Sequence, residues 1–218
     1  GFAILVLAYG YLSFQRNFEW KNNEILWTKT IGLNPNFGRS YAQLAEYYIA
    51  KGDYARAEEY LLKGISKFPK LDSLRVISGV LYTDKGDLQK AKEAYIKAIE
   101  LRPNYASSYH NLGYIYLQEG NIIQAEENFR KTIEISPIYY ESVFNLAVLM
   151  LDQRKYEEAK SLFERAAKLR KKNHEVYFGI GMSYMGLGDN EMAKKYFIYT
   201  VKLNPSFAPA KEKLDEIR

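Results

Sequence analysis

No cysteine occurs anywhere in the 218-residue chain, which rules out a disulfide framework, a thiol nucleophile, a cysteine-held zinc site and a thiolate-bound iron–sulfur cluster. The redox compartment stays open, because a protein with a sizeable core has no need of bridges. Histidine is nearly as scarce: His110 and His174 are the only two, and neither has a second candidate ligand beside it, so no metal site is expected. No Asn-x-Ser/Thr sequon occurs, which leans toward a bacterial or archaeal source over a eukaryotic lumen. Neither sign of charge is concentrated. The 31 basic and 26 acidic side chains interleave, whereas a nucleic-acid surface needs a clustered stripe. The one basic cluster, Lys168 to Glu175 (KLRKKNHE), stands where a helix should end, and cations there offset the exposed carbonyls of the last turn. The glycine-rich stretch GIGMSYMGLG at 179–188 has Tyr184 in place of the third glycine of a dinucleotide fingerprint and no strand before it, so no cofactor is expected.

What is abundant is tyrosine, 20 residues of it, in a chain that is 47% hydrophobic and 26% charged. That composition buries a core and argues against disorder. Self-similarity then appears at a period of 34 residues, marked by alanine at 57, 91, 125, 159 and 193. Around these anchors the units 38–71, 72–105, 106–139, 140–173 and 174–207 align without a gap. In the third, Tyr109, Leu112, Gly113 and Tyr116 share one face of a helix. Gly120–Asn121 breaks that helix. Ala125, Phe129 and Thr132 make the matching face of a second, which Pro137 stops. Gly52–Asp53, Gly86–Asp87 and Gly188–Asp189 repeat the turn, while the fourth unit uses Arg154–Lys155.

This grammar resembles the tetratricopeptide repeat (TPR) family over residues 38–207. Tyr41, Leu44, Ala45, Tyr48, Ala57 and Pro69 carry the match in the first unit, and the second departs from it at Arg75 and Ser78. The resemblance implies an all-α fold, a right-handed superhelical solenoid of helix-turn-helix units in which each hairpin leaves an apolar face for its neighbour to cover. Residues 208–218 (APAKEKLDEIR) begin with a proline suited to a first helical turn and are expected to start a capping helix.

Residues 18–37 read as the second half of a further repeat, with Trp27 in the aromatic place and Trp20 near the preceding turn, both expected to be structural. Residues 1–14 carry no charge, although the outer face of a terminal repeat should be polar. Fourteen residues rise about 21 Å, less than the roughly 30 Å of a bilayer core. The segment 1–17 is therefore expected to be the end of a transmembrane helix whose start precedes Gly1, with Tyr9, Tyr11, Phe14 and Trp20 as an interfacial aromatic belt. A signal-peptide core and a helix masked by another subunit are the alternatives. Arg16, Asn17, Trp20, Leu26, Trp27, Asn34 and Pro35 also resemble the junction between the last membrane helix and the repeats in protein O-mannosyltransferase-like transmembrane-and-TPR proteins. That resemblance implies a membrane-tethered, extracytoplasmic repeat domain. Any glycosyl transfer would reside in a membrane part that this chain lacks.

Catalysis by the chain itself is not expected, since paired carboxylates such as Glu58–Glu59 and Glu126–Glu127 fall on solvated helix faces. Binding is, and in the resembled family it uses a concave groove lined by the first helix of each unit. Register assigns Arg39, Gln43, Glu46 and Ile49 to it, then Val76, Ile77, Val80 and Thr83. The third unit adds His110, Asn111, Tyr114 and Leu117; the fourth Phe144, Asn145, Val148 and Leu151; the fifth Phe178, Met182 and Met185. Asn111, Tyr114, Leu117, Phe144, Asn145, Val148, Leu151, Phe178, Met182 and Met185 form the expected peptide site, the asparagines fixing a partner's backbone and the apolar groups anchoring it. Phe144 and Phe178 are expected to be dispensable for packing. Ala42 and Glu46 replace the basic clamp by which some such domains hold a chaperone's terminal carboxylate. A protein or peptide is the expected partner; a homo-oligomer built by repeat-to-repeat packing is the alternative.

Overall fold

The structure is a computed structural model that describes residues 23–217. The apolar run 1–14, the segment 1–17 and Trp20 lie outside the described residues. Among the described residues the fold is all-α, with helices throughout and no strand, as the 34-residue period implies. Two compact units divide the chain, Gly1–Pro103 and Asn104–Arg218.

In the first unit α1 (Asn23–Leu33) precedes two hairpins, α2 (Gly38–Ala50) with α3 (Tyr54–Lys67) and α4 (Asp72–Asp84) with α5 (Leu88–Leu101). One face of α2 forms because Tyr41, Leu44, Ala45 and Tyr48 recur at helical spacing, and all four are buried. The helix stops where Gly52 takes a left-handed φ of +74°, which lets the Asp53 N–H bond the Tyr48 carbonyl at 2.9 Å. That bond satisfies a carbonyl the helix leaves over. The Asp53 carboxylate then caps α3 by accepting from the Arg56 N–H at 3.1 Å, and Asp87 caps α5 through the Lys90 N–H at 3.2 Å. At its far end α3 stops ahead of Pro69, with Phe68 already out of the helical region (φ −130°, ψ 64°), which a following proline disfavours.

Close crossing within a hairpin requires a missing side chain. A Cβ at Gly79 would stand 2.5 Å from the Tyr95 ring, so only glycine lets α4 approach α5 this closely. The half-repeat α1 is fastened by Glu24, whose carboxylate accepts from the Tyr48 hydroxyl at 2.9 Å and the Tyr47 hydroxyl at 3.3 Å, with Arg56 at 3.4 Å. Burial first, and the Glu24 carboxylate second, push the Tyr48 hydroxyl up to about 12. Trp27 and Ile31 of α1 pack against the cluster that holds Tyr41, Leu44 and Tyr48.

The second unit holds α6 (Ala106–Gln118) with α7 (Ile122–Ile135), α8 (Tyr140–Asp152) with α9 (Tyr156–Leu169), α10 (His174–Gly186) with α11 (Asn190–Leu203), and the short α12 (Ala208–Glu216). Its core runs through Phe129, Leu146, Met150, Phe163 and Ile180. A satellite cluster forms on Ala193, Phe197 and Ala210, against which Leu214 and Ile217 rest. The α8–α9 turn keeps its shape without glycine: Arg154 itself adopts φ +60°, and the Lys155 N–H still reaches the Met150 carbonyl at 2.8 Å. The basic cluster behaves as a helix end. α9 stops at Leu169, and just beyond it Arg170 lies over the Tyr140 ring at 4.0 Å and pairs with Glu141. In the glycine-rich stretch, Gly181 meets the Phe197 ring, where a Cβ would stand at 2.5 Å, and Gly188 makes a turn at φ +83°.

Candidate binding surface

In the second unit the first helices of consecutive repeats present matching positions. Tyr114, Val148 and Met182 occupy one row of the repeat and Leu117, Leu151 and Met185 the row one turn further along, because side chains three apart lie above one another on a helix. Tyr114 is 43% exposed, and the other five are half-buried. Leu117, Val148 and Leu151 rest against the core cluster around Leu146 and Ile180; Met182 and Met185 rest against the Phe197 cluster. Each of these side chains therefore has one flank in the protein and one flank in solvent.

The position that begins this surface in each repeat behaves differently. His110, Phe144 and Phe178 all lean back onto the buried phenylalanine of their own second helix, at 5.8 Å from Phe129, 5.9 Å from Phe163 and 5.5 Å from Phe197. Phe144 also stacks on Tyr140 at 6.0 Å, and Phe178 meets Phe207 edge-on at 5.2 Å. The expectation that these two phenylalanines are dispensable for packing is thus corrected. An aromatic ring is long enough to bridge from the helix face to the core, so it packs the hairpin with its body while showing an edge to solvent.

His110 is held further. Its Nδ1 lies 2.7 Å from the Ser142 Oγ and its ring 4.9 Å from Tyr139, which ties α6 to α8. Burial pushes its imidazole below the usual 6.5, against the opposing pull of Glu141, so the ring is neutral at physiological pH. The asparagines stand beside these rings. Both are half-buried; Asn111 has interactions within the protein, whereas no hydrogen bond from the Asn145 side chain occurs among the described residues.

The first unit adds a cavity of about 440 Å³ lined by Trp27, Phe37, Arg39, Gln43, Ser73 and Ile77. Arg39, Gln43 and Ile77 were assigned to a groove by register. Trp27, Phe37 and Ser73 were not, because they lie on α1, on the linker after it and at the start of α4, outside the first-helix rows that register assigns. The signal was there in Phe37, an apolar residue that is 41% exposed. The Ser73 Oγ is buried without a hydrogen-bond partner.

Among the described residues no cluster of His, Cys, Asp or Glu could hold a metal ion. No helix among them is long and apolar enough to cross a membrane. Stacked helix hairpins with glycine at the crossings, left-handed turns between helices and an apolar first-helix face define a helical-repeat binding protein. Models of the TPR repeat match residues 79–120, and tetratricopeptide repeat models match 116–177 and both 38–67 and 174–207. The chain belongs to the tetratricopeptide repeat family, whose members are generally protein-interaction scaffolds and whose fold is typically non-enzymatic.

Among solved structures, the chain is similar to YrrB, described as a TPR protein with an unusual peptide-binding site, at 17% identity and a TM-score of 0.74 over 85% of this chain and 96% of that one. It is similar to the pilF protein of Pseudomonas aeruginosa at 20% identity and a TM-score of 0.78, over 98% and 96%. MamA gives 21% identity and a TM-score of 0.69 over 79% and 94%. At these identities the likeness is one of fold. No curated protein sequence matches the chain.

Proposed function

We propose that the chain is a non-catalytic scaffold that holds a peptide or protein segment on the first-helix face of α6, α8 and α10. The observation that carries this is the double row of Tyr114, Val148 and Met182 with Leu117, Leu151 and Met185, apolar side chains whose outer flanks meet no part of their own unit's core. Phe144 and Phe178 anchor the same segment by their exposed edges, and Asn111 and Asn145 hydrogen-bond its backbone. Methionine-rich apolar faces adapt to the apolar side of a partner helix or to a hydrophobic peptide. The peptide binding recorded for YrrB supports the same use of the fold here.

The repeats are the extracytoplasmic part of a membrane-tethered protein related to glycosyltransferases, with residues 1–14 as the tether. Support comes from the charge-free start of the sequence and from the Arg16–Pro35 junction. Peptides selected from a display library on the 218-residue chain test the binding face. Tyr114→Ala and Met182→Ala are expected to weaken the selected peptides severalfold to more than tenfold, as loss of an anchor does, with unchanged melting in Tyr114→Ala and a lowered Tm in Met182→Ala, whose side chain also packs on the Phe197 cluster. Unchanged affinity in both variants contradicts the assignment. Co-sedimentation with phosphatidylglycerol vesicles tests the tether: binding by the full chain should vanish on deletion of residues 1–17. A full chain that stays in the supernatant contradicts it.

A further inference from the structure

The second repeat breaks the family pattern at two neighbouring places, and the structure shows what the break creates. Where the other repeats bury Leu44, Leu112, Leu146 and Ile180, the second has Ser78; where they have Tyr41, Tyr109, Val143 and Tyr177, it has Arg75. Ser78 fills less volume than leucine and turns its hydroxyl back to the Leu74 carbonyl at 2.8 Å. Beside it a cavity of about 420 Å³ opens between α3 and α5 over α4. Its size lies within the roughly 300–1,000 Å³ of small-molecule pockets. Leu61, Leu62, Ile65 and Ala94 make an apolar wall, and Leu62, 59% exposed, stands at the rim.

Most of the charge inside the cavity is already paired. Glu58 accepts from Tyr82 at 2.8 Å and from Lys85 at 2.7 Å. Lys90 pairs with Asp87, Lys97 with Glu100, and Glu93 accepts from Gln89. Arg75 alone among the cationic lining residues has no ion pair among the described residues, as Glu93 has none among the carboxylates, and the Arg75 Nε is sealed from solvent without a hydrogen-bond partner. A guanidinium in an apolar, half-enclosed site is what a carboxylate complements best, because its planar fork matches two oxygens at once. The wall beside it has room for a short hydrocarbon body.

We propose that this cavity is a binding site for a small monocarboxylate with an aliphatic body, the carboxylate on Arg75 and the chain against Leu61, Leu62, Ile65 and Ala94. The site lies in the first unit and is independent of the first-helix face of the second. A half-enclosed space between three helices, with one unpaired cation, fits a single charged group with a tail better than an extended peptide.

The test is an amide-detected NMR titration of the 218-residue chain with hexanoate, with hexanamide as the uncharged control. Hexanoate should shift amides of α3, α4 and α5 saturably, with a Kd on the order of 1 mM, as suits eight non-hydrogen atoms. Hexanamide should bind at least tenfold more weakly. Arg75→Leu should abolish the shifts by removing the cation. Ser78→Leu should weaken binding by narrowing the space while leaving the cation in place. Shifts from hexanoate that keep the parent affinity in folded Ser78→Leu, that hexanamide reproduces, or that never saturate overturn the proposal. A blocked tetrapeptide with a C-terminal leucine carboxylate is titrated in parallel, and tighter binding of it than of hexanoate overturns the small-molecule occupant in favour of a chain terminus.

Discussion

Replacing Arg154 by glycine should stabilise the protein, although it removes a large side chain and puts the most flexible residue in its place. Arg154 sits at φ +60° in the α8–α9 turn, whereas the other inter-helix turns place Gly52, Gly86, Gly120 and Gly188 between +74° and +83°. Its backbone does the same work as theirs. The Arg154 N–H bonds the Leu151 carbonyl at 2.9 Å and the Lys155 N–H the Met150 carbonyl at 2.8 Å, matching the 2.9 Å of both bonds made by Gly52 and Asp53. A residue with a Cβ loses about 1–2 kcal/mol in the left-handed region. Glycine gives back about 0.4–1 kcal/mol through the larger entropy of its unfolded chain, so the net gain is about 0.5–1 kcal/mol. The Arg154 side chain is exposed and contributes no compensating contact. For a chain of this length the gain corresponds to a rise of about 1–4 °C in Tm. Urea titration followed by helical circular dichroism should show a higher midpoint with an unchanged slope. Arg154→Ala, which keeps the Cβ, should be neutral. A destabilised Arg154→Gly, or an Arg154→Ala that gains as much, would refute the reasoning.

Gly181→Ala should lose about 1–3 kcal/mol, the cost of overpacking, because its methyl would stand 2.5 Å from the Phe197 ring; the urea midpoint measures it. Phe144→Ala should weaken a selected peptide and also cost about 1–2 kcal/mol, less than the ~3–5 kcal/mol of a fully buried ring, since Phe144 is half-buried against Tyr140 and Phe163. His110 supplies a pH dependence. Burial lowers its folded pKa below 6.5, so below that pH the unfolded chain takes up the proton more readily and stability falls with pH until the folded pKa is reached. His110→Asn should therefore show a smaller loss of Tm than the parent chain between pH 7.5 and 5.5, and an equal loss would contradict the burial assigned to the ring.

The hairpins were legible in the sequence because their determinants are local. The spacing of Tyr109, Leu112 and Gly113, the Gly-Asp turns and the prolines act within one repeat, and the period shows each several times over. The fourth turn was legible too, since the period runs through it unbroken and the hairpin imposes on Arg154 the left-handed φ that the four other turns give to glycine. The division of labour on the first-helix face was not. Register says which way Phe144 and Phe178 leave the helix, but whether a ring leans onto the buried phenylalanine of its partner helix depends on distances between helices. The cavities were hidden for the same reason. Arg75 and Ser78 stand out as departures from the pattern, yet only the placement of α3 and α5 on either side of α4 shows that the space beside them is open. At Trp27 and Phe37 the cavity is lined from outside the first helices of the repeats, which the period does not single out.

The central claim is that the first-helix face of α6, α8 and α10 is where a partner binds. Hydrogen exchange of the chain with and without a display-selected peptide, read amide by amide, tests it most directly. The account predicts new protection confined to residues of those three helices around Tyr114, Asn145, Val148 and Met182. Protection that falls instead on α7, α9 and α11 would contradict it.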